Sequence, residues 1–281
     1  MHKHPHPRID LHAHSDASDG TEPPAEVVRR AVAAGVDVLA LTDHDTTAGH
    51  AEAFEATAGR ITIVPGMEMS CRRDGLSVHL LAYLFDPADE ALTAECALVR
   101  GGRDGRATAM VERLAELGVP ITMERVAAVA GDGVVGRPHI ARVLAELGVV
   151  PTPADAFTAE WIGTGGRAHV TRYAPDPVHA IRLVRAAGGA AVLAHPKAAR
   201  RGYLLPDAWI ADMAEAGLNG VETNHPDHDA EARTHLRGLA GELDLIMTGS
   251  SDDHGELTGH RLGCETTTPE AYAAIMDACR A

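Results

Sequence analysis

Two stretches decide the fold: Ile9-Asp-Leu-His12-Ala-His14 and, one helical segment later, Val38-Leu-Ala-Leu-Thr-Asp43-His44-Asp45. Each is a short apolar run that breaks into histidine and aspartate. Between them, Pro23–Ala34 carries helical apolar spacing, with proline near its start where a missing N–H costs least. Helix Ala48–Ala58 and strand material at Ile61–Val64 and Leu76–Phe85 follow. The alternation resumes later with helix Pro177–Ala187, strand Ala190–Ala194, helix Pro206–Ala216, strand Gly220–Thr223, helix Ala230–Ala240 and strand Leu245–Thr248. Repeated βα units predict an α/β fold with a parallel sheet, most simply a barrel.

Residues 88–168 read differently, as helices at Ala88–Leu117, Met123–Ala130, Arg137–Leu147 and Ala154–Trp161 separated by glycine and proline. This part is expected to be a helical insertion, with the barrel formed by residues 8–87 and 169–281 and a disordered tail at residues 1–7. His2, His4 and His6 in that tail are given no function.

Composition narrows the possibilities. The 281 residues are 45% hydrophobic but only 3% aromatic, so the core must be aliphatic, as buried parallel strands prefer. No run of about 18 apolar residues suggests a membrane span, and the N-terminus lacks the apolar stretch of a signal peptide. The four cysteines are scattered without a CxxC pair, which predicts a cytoplasmic protein without a thiolate zinc site. A net charge of −15 disfavours duplex nucleic acid as a partner. It still permits a small anionic substrate, because bound metal ions can be the largest charges in a site.

Most of the barrel strands end in a potential metal ligand, and six of the 17 histidines fall there among carboxylates. These are His12 and His14; Asp43, His44 and Asp45; Glu68; His79; His195; Glu222; and Asp252 with His254. His12 and His14, two apart on a strand, share a face. The C-terminal strand ends of a parallel barrel converge on one rim, so these residues are expected to meet there. Ionisable groups behind apolar strands are rarely packing elements unless paired or coordinating metal. The combination predicts a divalent metal cluster.

These segments resemble the PHP family, named for polymerase and histidinol phosphatase. The resemblance is carried by D-L-H-x-H-S-x-x-S-D-G at Asp10–Gly20, L-T-D-H-D at Leu41–Asp45, G-x-E at Gly66–Glu68, V-H at Val78–His79, A-H-P at Ala194–Pro196 and G-S-S-D-D-H-G at Gly249–Gly255. It implies a distorted (β/α)7 barrel with three divalent metals. His12, His14, Glu68 and Asp252 would hold the first. Glu68 with His79 and His195 would hold the second, and Asp19, His44 and His254 the third. Asp19 stands where some relatives carry histidine, and an oxygen donor there puts manganese first, with iron or zinc as alternatives.

The segment Gly136–Ala141, G-R-P-H-I-A, resembles the branch acting on nucleoside 3′,5′-bisphosphates and on RNA 5′ ends. The resemblance implies phosphate contacts from Arg137, His139 and His228, with Lys197 and Arg200 as further partners, and the insertion as a lid. His195 or His228 would protonate the leaving oxygen, while Arg137 would neutralise developing charge. His225, just ahead of His228, departs from the family pattern and has no role in this reading. The expected activity is removal of the 3′-phosphate of a pAp-like nucleotide, with action on short RNA. Histidinol phosphate is an alternative substrate, and an amidohydrolase or a non-catalytic metal module is an alternative of another class.

Overall fold

Apolar side chains at Ile9, Leu11 and Ala13 make the first strand, β1 (Ile9–Ala13), a fully buried element. In the computed structural model, residues 6–130, 135–163, 165–171, 173–199 and 204–279 are described. After β1 come α1 (Pro24–Ala33), β2 (Val38–Leu41), α2 (His50–Ala56), β3 (Thr62–Arg73), β4 (Leu76–Tyr83) and α3 (Glu90–Glu116). α4 (Met123–Ala130), α5 (Arg137–Glu146) and a 3-10 turn at Pro153–Ala156 follow. The chain then continues through α6 (Pro177–Ala186), β5 (Ala190–Leu193), α7 (Asp207–Glu215), β6 (Gly220–Asn224), α8 (Ala230–Glu242), β7 (Ile246–Gly249) and α9 (Pro269–Ala278).

The seven strands lie in sequence order, β1 to β7. Backbone bonds across the remaining gap, His14 N–H to Asp253 O at 2.8 Å and Asp252 N–H to His12 O at 2.9 Å, nearly close the sheet into a barrel. The expected wholly parallel sheet is corrected at one strand. β4 is antiparallel to both β3 and β5, while the other neighbours are parallel. The cause is local. Arg73 pairs with Leu76 across Asp74-Gly75, both at positive φ, the two-residue hairpin that an Asp-Gly pair specifies.

This reversal matters for the rim. A parallel strand brings its C-terminal end there, but β4 brings its first half. His79, paired with Ser70, thus reaches the same level as the end of β5, where Ala194 N–H bonds His79 O. β3 is also far longer than expected and runs past the end of β2, carrying Glu68 beside His44.

The chain divides into two compact units, one comprising residues up to Cys96 and from Pro175 onward, the other Ala97–Ala174. In the first, Leu80, Leu193, Ile181 and Met213 pack outside the sheet, and Ile9, Leu81, Tyr83 and Val192 fill its interior. The second has its own aliphatic core around Met110, Leu114, Ile140 and Leu144. The helix expected at Ala154–Trp161 is only the short 3-10 turn, because the chain then folds back so tightly that Gly163 and Gly166 abut backbone carbonyls. α9, capped by the Thr268 side chain, was not expected from the sequence. No helix among the described residues is long and apolar enough to cross a membrane.

Inside the barrel the Tyr83 hydroxyl donates to Leu11 O at 2.8 Å. Tyr83→Phe would leave that buried carbonyl unsatisfied, at a cost of about 1–3 kcal/mol. A shift in urea midpoint corresponding to less than about 0.5 kcal/mol would contradict the bond's role.

Candidate metal centre

Period-two geometry on β1 sends His12 and His14 to one face, and both are fully buried. Their Nε2 atoms stand 3.0 Å apart. Glu68 Oε2 lies 3.4 Å from His12 Nε2 and 3.2 Å from His14 Nε2. Asp252 Oδ1 lies 3.2 and 3.3 Å from the same two atoms. Donors around one ion with bonds of roughly 2.0–2.2 Å stand about 3 to 3.6 Å apart in octahedral or tetrahedral geometry. The four residues are therefore spaced as donors around one ion would be.

Two more groups surround this one. Glu68 Oε1 is 2.8 Å from His79 Nδ1 and 3.0 Å from His195 Nε2. Asp19 approaches His44 Nε2 at 3.5 Å and His254 Nε2 at 3.3 Å, and one of its oxygens is 3.5 Å from His14 Nδ1. The structure thus brings all nine residues picked from the sequence as ligands to one rim. A further combination, His12, His195 and Glu222, also has donor atoms within 4.8 Å of one another.

The donor chemistry fits divalent cations. His14 Nδ1 and Asp252 Oδ1 are buried without a hydrogen-bond partner, which is costly unless something else satisfies them. Facing imidazole nitrogens at 3.0 Å likewise suit a shared cation better than each other. Backbone strain marks the place too, since His195 and Asp252 sit at φ 32° and 49°, where non-glycine residues are rare. Solvent reaches the cluster from the third group, where the Asp19 side chain is 49% exposed.

Without a bound cation these groups titrate against one another. Burial would pull His14 down, but Asp252 and Glu68 outweigh it and push it up to about 10. Burial likewise opposes the charged forms of Glu68 and Asp252, yet the surrounding histidines hold both well below the carboxylate range. Burial wins at His44, which falls to about 4. The sign for metal uptake follows. A His14 proton held up to about 10 must leave for Nε2 to become a ligand, so affinity rises with pH up to that value. Uptake at pH 7.5 is expected to release at least about one proton per chain, measured by calorimetry in two buffers of different ionisation enthalpy. Identical heats in both buffers would contradict this.

The residues expected to meet phosphate are placed less uniformly. Lys197 donates to Asp207 Oδ1 at 2.7 Å and to Leu205 O, so its ammonium is engaged in an ion pair. His228 is buried with both nitrogens on main chain, Nδ1 donating to Thr223 O at 3.2 Å and Nε2 accepting from Lys197 N–H at 3.3 Å. Burial lowers its pKa, which keeps it neutral near pH 7. Arg200 lies outside the described residues. In the second unit, the Arg137 guanidinium lies 5.7 Å from the centre of the Phe157 ring. There His139 Nδ1 accepts from Gly136 N–H at 3.0 Å, leaving Nε2 as its protonated nitrogen, and burial lowers its pKa.

Sequence reasoning missed the residues behind the ligands. Asp10, fully buried, accepts from the backbone N–H groups of Ser251 at 3.0 Å and Gly263 at 2.8 Å, and so ties β1 to the loop carrying Asp252. Asp43 accepts from Ser15 and Ser18 and fixes the loop that presents Asp19. Glu222 stood out only as one more strand-end acid, and nothing in the spacing distinguished its role from a ligand's.

Comparison with known proteins agrees with this geometry. Residues 10–121 match the family profile of the PHP domain. A 5′-3′ exoribonuclease of Haemophilus influenzae is 36% identical over 88% of this chain and 90% of its own length. A 3′,5′-nucleoside bisphosphate phosphatase of Chromobacterium violaceum is 33% identical, covering 90% of this chain and 89% of that protein. A solved structure from Bifidobacterium adolescentis, described as a metal-dependent phosphoesterase, superposes with a TM-score of 0.83 at 35% identity, covering 98% of this chain and 97% of that one. With relatives matched over nearly their whole length and a rim built for divalent cations, the chain belongs to the PHP family and is a phosphoric ester hydrolase.

Proposed function

We propose that the protein removes the 3′-phosphate from nucleoside 3′,5′-bisphosphates of the pAp kind and acts on the 5′ ends of short RNA, with manganese as the preferred ion. The observation that carries this reading is the near full-length relationship to both an exoribonuclease and a bisphosphate phosphatase. Both names describe cleavage of a phosphate ester on a nucleotide.

In this reading His12, His14, Glu68 and Asp252 hold one ion, Glu68, His79 and His195 a second, and Asp19, His44 and His254 a third. Such ions supply Lewis acidity and lower the pKa of water toward neutrality. Three carboxylates against three divalent ions leave the first shell positive by about three charges, which draws an anionic phosphate to an acidic protein. The half-exposed Asp19 marks the side from which substrate enters. Proton transfer to the leaving oxygen falls to His195 or water rather than to His228, whose nitrogens are spent on backbone. Arg137 and His139 are assigned to the second phosphate, and Lys197 is left out of the substrate site.

The test is a comparison of kcat/KM for pAp, short 5′-phosphorylated RNA and histidinol phosphate with manganese present. Preference for either nucleotide is expected. Rapid turnover of histidinol phosphate with both nucleotides refractory would overturn the reading. Arg137→Ala is expected to raise KM for pAp by about 10-fold or more while sparing a simple monoester, since a charge-assisted contact contributes roughly 1.5–3 kcal/mol.

A further inference from the structure

Two side chains that grip the ligands from behind come from one short segment, the end of β6 and the residue just past it. Glu222 is completely buried there. Its Oε1 accepts from His12 Nδ1 at 3.1 Å and from the Ser250 hydroxyl, and its Oε2 accepts from His195 N–H at 2.8 Å. An ionised carboxylate only accepts, so His12 must carry its proton on Nδ1. With Nδ1 engaged in this way, Nε2 is the nitrogen that faces Glu68 and Asp252.

Three residues on, His225 does the corresponding work for the aspartate. Asp227 N–H donates to His225 Nδ1 at 3.0 Å, so Nε2 carries the proton, which is donated to Asp252 Oδ2 at 3.2 Å. Asp252 Oδ1 is thereby left to face His12 and His14. Arg261 adds a bond to Asp252 O at 2.9 Å, holding the residue at its positive φ.

We propose that Glu222 and His225 are positioning residues: from one strand end they preset the tautomer of His12, the backbone of His195 and the free oxygen of Asp252 for a divalent cation. The proposal rests on the metal reading of the cluster. Glu222 is close enough to His12 and His195 to be taken for a ligand itself. Its two oxygens, however, already receive three donors, all from residues at the site.

The experiment is a chelator competition with Mn2+ alone on the full chain, combined with metal content at saturation. Glu222→Gln and His225→Ala are each expected to weaken affinity by about 10- to 100-fold, the usual effect of removing an outer partner, without lowering the number of ions at saturation. His225→Gln, which restores an N–H donor, should recover most of the loss. Asn224→Ala is the control, because Asn224 lies on the same strand end but bonds Arg237 and no ligand. Wild-type affinity in Glu222→Gln and His225→Ala would overturn the proposal. Loss of one ion at saturation in Glu222→Gln would overturn it for that residue, by making Glu222 a ligand. If Glu222→Gln does not fold, the His225 pair still decides, through recovery by glutamine or its absence. Failure of the wild type to bind Mn2+ would instead sink the metal reading beneath it.

Discussion

Glu68→Gln is expected to lower phosphoesterase turnover by at least about 10³-fold, the equivalent of the several kcal/mol that a metal centre contributes to phosphoryl transfer. The reason is the crowd around one side chain. Oε1 faces His79 and His195, and Oε2 faces His12, His14 and His44, at distances between 2.8 and 3.4 Å. An amide would turn an N–H donor toward one of these sets and give up the charge that links them. Metal content should fall with activity, while the far-ultraviolet circular dichroism is unchanged. Asp252→Asn should act in the same direction, because Oδ1 is the oxygen left facing His12 and His14. Retention of wild-type turnover by either folded variant would remove the assignment.

Metal removal should also cost stability. A ligand that binds only the folded state at about 1,000 times its Kd stabilises it by roughly 4 kcal/mol. For a unit of this size that corresponds to about 10 °C in Tm. The structural cause is the concentration of buried carboxylates and imidazoles on one rim, two of whose atoms have no hydrogen-bond partner. Scanning calorimetry with EDTA, and again after excess Mn2+, checks this. An unchanged melting temperature on chelation would mean that the rim is self-sufficient.

Much of the candidate site is legible in the sequence because both periodicities are simple. Two histidines two residues apart on an apolar strand must share a face, and strand ends of a βα barrel must share a rim. What was not legible has specific causes. Leu76–Tyr83 is an apolar run that reads the same in either direction, so β4 passes for a parallel strand. The signal for its reversal lies just outside it, at Asp74-Gly75. The roles of Glu222 and His225 depend on which oxygen or nitrogen faces which neighbour, and spacing carries no such information. The ion pair of Lys197 with Asp207, ten residues on at the start of the next helix, is likewise invisible in the spacing after His195-Pro196. In the second unit, Gly163 and Gly166 read only as separators between helices, whereas they allow the close approach of backbone to backbone.

The centre itself can be tested by diffraction at the manganese edge from crystals grown with Mn2+. Anomalous peaks are expected between His12, His14, Glu68 and Asp252, beside Glu68 with His79 and His195, and between Asp19, His44 and His254. A map without a peak at the first of these positions, from crystals of protein that turns over phosphoesters, would contradict the metal centre.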